Sequence, residues 1–286
     1  MADCNGIISQ MFIYPVKSCA GIEINEATLT STGLAYDREW MIVDQDGLFL
    51  TQRQIPHMVW ITPELTSHSL KLKAPDQPTL EIDFNQRGPS RSVTVWRDTL
   101  LADDMGDTAA AWLDQFLAVP GKRFRLVRFS KDAKRFSSKD WTKEIDAANM
   151  FSDGFAVLVA TQRSLDILNE RLLEQGHEAV DMLRFRPNIV LENLDAHTED
   201  DLSRIELHSP SGLIELALVK PCPRCPIPNI NPYTASSSPE VVDTLATYRS
   251  LARMDGAVCF GMNAIVLSGA GRPLHVGQRV DADYAI

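Results

Sequence analysis

The sequence predicts an α+β chain that is mostly β, with barrel-like sheets and a few helices. Three observations carry this. Short apolar or alternating runs recur from end to end. Turn residues separate them at close spacing. Few segments carry helical spacing, and the regular strand–helix alternation of a doubly wound parallel sheet is missing.

Ile7–Tyr14 is apolar and β-prone, and Pro15 ends it. Glu39–Val43 and Leu48–Thr51 flank Asp44-Gln45-Asp46-Gly47, a hairpin signal because Asp-Gly readily takes positive φ. Leu70–Lys73 and Ser92–Trp96 alternate, as half-buried strands do. Asp107 caps a helix bearing Ala109, Trp112, Leu113 and Phe116, and Pro120-Gly121 stops it. Phe124–Phe129 is a further strand. Ser130–Met150 is polar and without period, which predicts a long surface connection and a domain boundary. Ala156–Ala160 predicts a buried strand, and Thr161 caps a helix carrying Leu165, Ile167, Leu168 and Leu172 to near Gly176. Asn188–Leu191 and Ile214–Val219 are strands, and Val241–Met254 is helical. Asn263–Leu267 and a turn near Val276-Gly277 close the chain.

The chain has 286 residues, 44% apolar and 23% charged. That length suits two domains and a core that needs no disulfides. Lys and Arg total 28 against 38 Asp and Glu, a formal charge of −10. General nucleic-acid binding is disfavoured, because it rests on phosphate neutralisation. A local basic pocket remains compatible with that balance. No apolar run is long enough to span a membrane. Met1–Gly6 lacks the basic and apolar regions of a secretory signal, so a cytoplasmic location is expected.

Of five cysteines, only Cys222 and Cys225 form a C-x-x-C. Structural zinc is disfavoured, since no second pair or suitably spaced histidines accompany it. A thioredoxin-type pair needs a following helix, and Pro226, Pro228 and Pro232 forbid one. Two readings stay open. One is a thiolate on a proline-stiffened loop, acting as a soft metal ligand or a sulfur carrier. The other is a loop whose cysteines are merely buried.

Several cations stand at strand ends: Lys17, Arg38, Arg53, Arg184, Arg186 and Arg224. Singly each is an ordinary surface or paired charge. Together they suit one anionic ligand such as a phosphate, with Ser18 and Asn188 adding hydrogen bonds. Asp153 can accept from the amino groups of a heterocycle, or be a simple turn residue.

These stretches, in this order, resemble the MOSC-domain proteins that carry an N-terminal MOSC β-barrel domain, the amidoxime-reducing component and YcbX-like family. They are Tyr14-Pro15-Val16-Lys17-Ser18-Cys19, Asp37-Arg38-Glu39-Trp40, Thr51-Gln52-Arg53-Gln54, Ser152-Asp153, Arg184-Phe185-Arg186-Pro187-Asn188, Cys222-Pro223-Arg224-Cys225 and Phe260-Gly261-Met262-Asn263. The resemblance implies an N-terminal MOSC β-barrel domain over 1–130 packed against a MOSC domain over 131–286. It implies a molybdenum cofactor, Mo-molybdopterin, with Cys225 as the protein's metal ligand and catalytic residue. Cofactor contacts then fall on Lys17, Ser18, Arg38, Asp153, Arg186, Asn188, Arg224 and Asn263. The pattern departs after Cys225, where Pro228, Asn231 and Ala235 stand at positions that relatives often fill with Thr, Asp and Gly. The implied activity is reduction of N-hydroxylated compounds: amidoxime, hydroxylamine or N-hydroxy base. Electrons would come from a separate ferredoxin, flavodoxin-like or cytochrome b5-type protein. The alternatives are a persulfide carrier or cofactor-handling protein, and a non-enzymatic anion- or pterin-binding protein.

Overall fold

A computed structural model describes residues 2–209 and 211–285. The chain is mostly β, as expected, and its largest sheet closes into a barrel of seven strands. The barrel order is Val157–Thr161, Ile189–Glu192, Cys4–Ile13, Arg279–Tyr284, Leu202–Ser209, Gly212–Pro223 and Ala257–Ser268, which pairs back onto Val157–Thr161. Only Val157–Thr161 and Ile189–Glu192 run parallel. A parallel pair needs a crossover, and helix Gln162–Glu174 supplies it. Ile8, Met11, Val159, Leu191, Ile205 and Leu216 fill the interior and are fully buried. They sit at inward positions of alternating strands, which leaves charged neighbours such as Glu206 and Asp281 facing out.

A second layer is built from two smaller sheets. One holds Trp40–Asp44, Phe124–Phe129, Asp98–Asp104 and Ser90–Val95; the other holds Thr62–Leu65, Ser69–Lys73 and Leu80–Asp83. Helix Asp107–Leu117 packs its Ala109, Trp112 and Leu113 into the core of this layer, with Trp40, Leu72 and Leu126. Sheet pairing crosses the expected division at residue 130. Strand Cys4–Ile13 pairs with Ile189–Glu192 and Arg279–Tyr284, and Glu26–Thr30 pairs with Pro273–His275. Composition marks linkers along the chain, but long-range strand pairing leaves no local mark.

Several elements differ from expectation, each for a local reason. The helix expected over Val241–Met254 covers only Glu240–Ala246. Asp255-Gly256, both at positive φ (53° and 78°), turns Ser250–Leu251 back onto Ala257–Ser268 as a hairpin. Leu48–Thr51 forms no strand and touches its neighbours through isolated bridges, although the turn before it forms, with Asp44 Oδ1 accepting from the Asp46 and Leu48 N–H groups. Gly106, not Asp107, occupies the helix cap, and left-handed Ala118 ends that helix before Pro120. Thr161 stands at its cap position but gives its hydroxyl to Glu199 Oε2 instead (2.9 Å). Ser130–Met150 is no plain surface connection: Arg135, Ser137 and Asn149 within it are buried, and Lys139–Thr142 is a short helix.

Candidate active site

Three chain segments meet where the barrel touches the second layer. The first strand ends at Ile13, and the Lys17 N–H donates to Trp40 O (2.8 Å). The Arg38 N–H donates to Tyr14 O (2.9 Å), and the Phe151 N–H to Arg38 O (3.0 Å). This backbone lacing fixes Lys17, Arg38 and the 151–153 loop side by side. Ser18, Arg38 and Arg186 all adopt left-handed φ (65°, 48° and 56°). Such positions cost roughly 1–3 kcal/mol each for non-glycine residues and gather at functional sites.

Lys17 is 5% exposed. It donates to Phe151 O (2.8 Å) and pairs with Asp153 Oδ1. Burial pulls the Lys17 pKa down, against the pull of Asp153. Burial alone would raise the Asp153 carboxyl, but Lys17, the Trp96 indole and Arg38 together hold it below the usual carboxylate range. Its Oδ1 takes both Lys17 and Trp96 Nε1 (3.1 Å), while Oδ2 has no partner among the described residues. An acceptor atom is therefore free on a side chain that remains 67% exposed.

The guanidinium carbons of Arg38 and Arg186 lie 4.2 and 4.1 Å from the centroid of the buried Tyr14 ring. Arg38 holds both oxygens of buried Asp37 (2.7 and 2.6 Å) and donates to Arg186 O. Arg186 donates to Cys19 O (2.7 Å). Burial, and then the like charge of Arg38, push the Arg186 pKa down to about 10. Asp37 compensates Arg38, whereas the Arg186 guanidinium has no carboxylate bonded to it among the described residues.

Strand Gly212–Pro223 delivers the cysteine pair. Arg224 is pinned by its N–H to Val258 O (2.8 Å), by Nη2 to Phe185 O (2.8 Å) and by Nη1 to Cys222 Sγ (3.1 Å). Its Nε is buried without a partner. Cys222 is thus engaged, whereas the half-buried Cys225 sulfur makes no hydrogen bond among the described residues. The loop after it is tighter than the extended one expected, with a 3-10 turn over Ile227–Asn229.

Lys17, Ser18, Arg38, Asp153, Arg186, Asn188, Arg224, Cys225 and Asn263 all border one cleft. Its wall carries five cations, Lys17, Arg38, Arg53, Arg186 and Arg224, against the single carboxylate of Asp153, in a chain of net charge −10. Two of the nine have less to offer than expected. Asn188 is 1% exposed, and its amide is spent on the strands, accepting from the Leu158 N–H (3.1 Å) and donating to Phe12 O (3.2 Å). Asn263 donates to Lys220 O (3.3 Å). Arg184 turns away from the cleft and donates to Pro228 O (3.1 Å).

Sequence reasoning missed Trp96 and Arg135. Trp96 sits at positive φ (56°) in the turn after its strand, stacks under Arg53 (4.9 Å) and bonds Asp153. A large aromatic ending a strand beside Arg97-Asp98 was the available signal. Arg135 is 7% exposed and donates to the carbonyls of Met150, Ser152 and Asp153 and to Asn149 Oδ1. It carries the loop that presents Asp153, and no local pattern marks it.

Residues 5–120 match the MOSC N-terminal beta barrel domain and residues 146–281 match the MOSC domain. Mitochondrial amidoxime reducing component 2 of Homo sapiens is 31% identical over 253 residues, covering 85% of this chain and 72% of that protein. The chain belongs to the MOSC family. Within the family, mitochondrial amidoxime-reducing component 1 of Xenopus laevis is 31% identical over 254 residues, covering 85% of this chain and 71% of the relative. The Danio rerio component 1 is 29% identical, with 85% and 75% covered. Family membership supports a molybdenum-cofactor type of reductase. No helix among the described residues of this MOSC protein is long and apolar enough to cross a membrane.

Proposed function

We propose that the chain is a molybdenum-cofactor oxidoreductase that reduces N-hydroxylated compounds with electrons from a separate protein. One observation carries this: the unengaged Cys225 sulfur borders the same cleft as Lys17, Arg38 and Arg186. Burial, and the like charge of Arg38, lower the Lys17 and Arg186 pKa values, and such a cluster favours an anion beside it. The cleft also offers unused polar atoms, namely Arg224 Nε, Ser152 Oγ and Asp153 Oδ2. That donor and acceptor set fits a phosphate-bearing, amino-bearing heterocycle. No group of three His, Cys, Asp or Glu side chains placed to hold a metal ion gathers among the described residues. A metal at Cys225 must therefore bring most of its ligands on an organic carrier, as a dithiolene pterin does.

In this proposal Lys17, Arg38, Arg186 and Arg224 hold the cofactor phosphate, with Ser18 beside them. Asp153 Oδ2 accepts from the heterocycle's amino groups. Asn188 and Asn263 shape the wall, and Cys225 supplies the soft sulfur ligand. When bound, the cofactor supplies two-electron redox chemistry at its metal. Two electrons and two protons convert an N–OH group to N–H and water. The electrons come from a ferredoxin, flavodoxin-like or cytochrome b5-type partner. The location expected from the sequence is the cytoplasm, whereas the relatives above are named mitochondrial.

The test is Cys225→Ser, made in cells that synthesise the pterin. Loss of N-hydroxy reduction with a chemical reductant, together with changed X-ray absorption at molybdenum and little loss of stability, is expected. Full activity with molybdenum bound would refute the role of Cys225. One extra sulfur on Cys225 by mass, in metal-free protein, would point to the sulfur carrier instead.

A further inference from the structure

A second cavity, of about 460 Å³, opens between the barrel and the second layer. Its size lies in the range of small-molecule sites, about 300–1,000 Å³. Val59, Trp60, Ala74 and Pro75 form one wall, and Leu183, Arg184, Ile230 and Tyr233 form the other. Trp60 Nε1 donates to Tyr233 O (2.9 Å) and ties the two walls together. The Tyr233 hydroxyl donates to Asp181 Oδ2 (2.6 Å), which holds its exposed ring in place at the cavity.

The chemistry of the lining is specific. Two exposed aromatic rings line it, those of Trp60 and Tyr233, and the fully buried Tyr14 lies behind them. Gly21 lies against the Tyr14 ring, where a Cβ would fall 2.5 Å from Tyr14 Cε1 and crowd the space beside it. The Tyr14 hydroxyl is buried and has no hydrogen-bond partner among the described residues. Three cations line the cavity, Lys73, Arg184 and Arg186, and no Asp or Glu does. Their availability differs. Lys73 is paired with Glu64, and Arg186 is engaged with Cys19 O. Arg184 is half-buried and makes a single bond, to Pro228 O, among the described residues. Burial lowers its pKa against the pull of Asp181 and Glu240, the mark of a guanidinium partly stripped of water.

We propose that this cavity is a second binding site, for a flat aromatic carboxylate whose ring lies between the exposed rings of Trp60 and Tyr233 and whose anion meets the free N–H groups of Arg184. A planar guanidinium suits a carboxylate through paired hydrogen bonds, and the rings suit a planar apolar body. Arg186 and Ile227 line this cavity and the cleft alike, so its occupant touches the wall of the proposed active site. The cavity does not depend on the reductase proposal.

The probe is 2-naphthoate, measured by equilibrium dialysis against the full chain, with neutral 2-naphthylmethanol as the comparison. Saturable one-to-one binding of naphthoate is expected, with the neutral compound weaker by about tenfold or more. Arg184→Met should weaken naphthoate binding by about tenfold and narrow the gap to the neutral compound. Ile230→Trp, which fills the cavity, should abolish binding. Should that buried substitution impair folding, exposed Tyr233→Ala takes its place, and weaker naphthoate binding is again expected. Absence of saturable binding, equal binding of the neutral compound, or wild-type affinity in Arg184→Met would overturn the proposal. Dialysis requires neither molybdenum nor turnover, so its outcome is separable from that of the reductase test.

Discussion

Arg135→Met removes a guanidinium that donates to Asp98 Oδ2 (2.7 Å), Asn149 Oδ1 (2.6 Å) and the carbonyls of Met150 (2.7 Å), Ser152 (2.6 Å) and Asp153 (3.2 Å). Asp98 is 42% exposed, so water recovers that partner and the ion pair contributes little. Asn149 is 1% exposed and cannot be rehydrated without opening the loop. A buried acceptor left unpaired costs about 1–3 kcal/mol. With Asn149 and one or two of the carbonyls affected, the expected loss is about 2–4 kcal/mol. Urea unfolding followed by circular dichroism measures it. Hydrogen exchange by mass spectrometry should show faster exchange over residues 146–155, because Arg135 donates to three carbonyls of this loop. Cofactor occupancy should fall with it, since Asp153 loses its fixed position. A loss below about 0.5 kcal/mol with unchanged exchange would mean that other contacts hold the loop, and the positioning role would be wrong.

Lys17→Ala and Arg186→Ala should each lower the molybdenum content of protein made in cofactor-replete cells; unchanged metal by elemental analysis contradicts the anion-holding role. Gly33→Ala places a Cβ 2.5 Å from Ala156 O at φ +103°, and should cost about 1–3 kcal/mol in urea unfolding; an unchanged midpoint refutes it. Burial, and then the Asp200 charge, push the Glu199 carboxyl up to about 7, in a pocket where Thr161 and Ser164 bond it and Asp200, His197 and Arg249 are near. A raised carboxyl stabilises the fold fully below its unfolded pKa of about 4.3, and that contribution is lost as pH rises through about 7. Glu199→Gln should therefore lose less stability than the wild type between about pH 5 and pH 8. His197, pushed down to about 4 by burial, acts in the opposite direction over lower pH and is common to both proteins. The readout is thus their difference, and a difference that is flat with pH refutes the assignment.

Local pattern and tertiary structure divide the outcome along particular residues. Phe124–Phe129 forms a strand over the whole range expected, because β-prone residues and the Pro120-Gly121 stop act within a few positions. The hairpin at Asp255-Gly256 was equally local, yet the apolar spacing of Val241 and Leu245 masked it. The cleft is a different case. Its cations were visible as strand-end residues, but of Arg184 and Arg186, only two positions apart and both lining the second cavity, only Arg186 also reaches the cleft. Arg186 stands at left-handed φ, which spacing along the chain cannot reveal.

Alternation, proline and charge along the chain were enough for the mostly-β character, the proline-rich cysteine loop and the residue types able to hold an anion. Long-range contacts set the pairing of the first strand with the last, the hold of Arg135 on Asp153 and the satisfied amide of Asn188. Each of those depends on groups brought together from distant positions, where contact energies outweigh local preference and leave no trace in neighbouring residues.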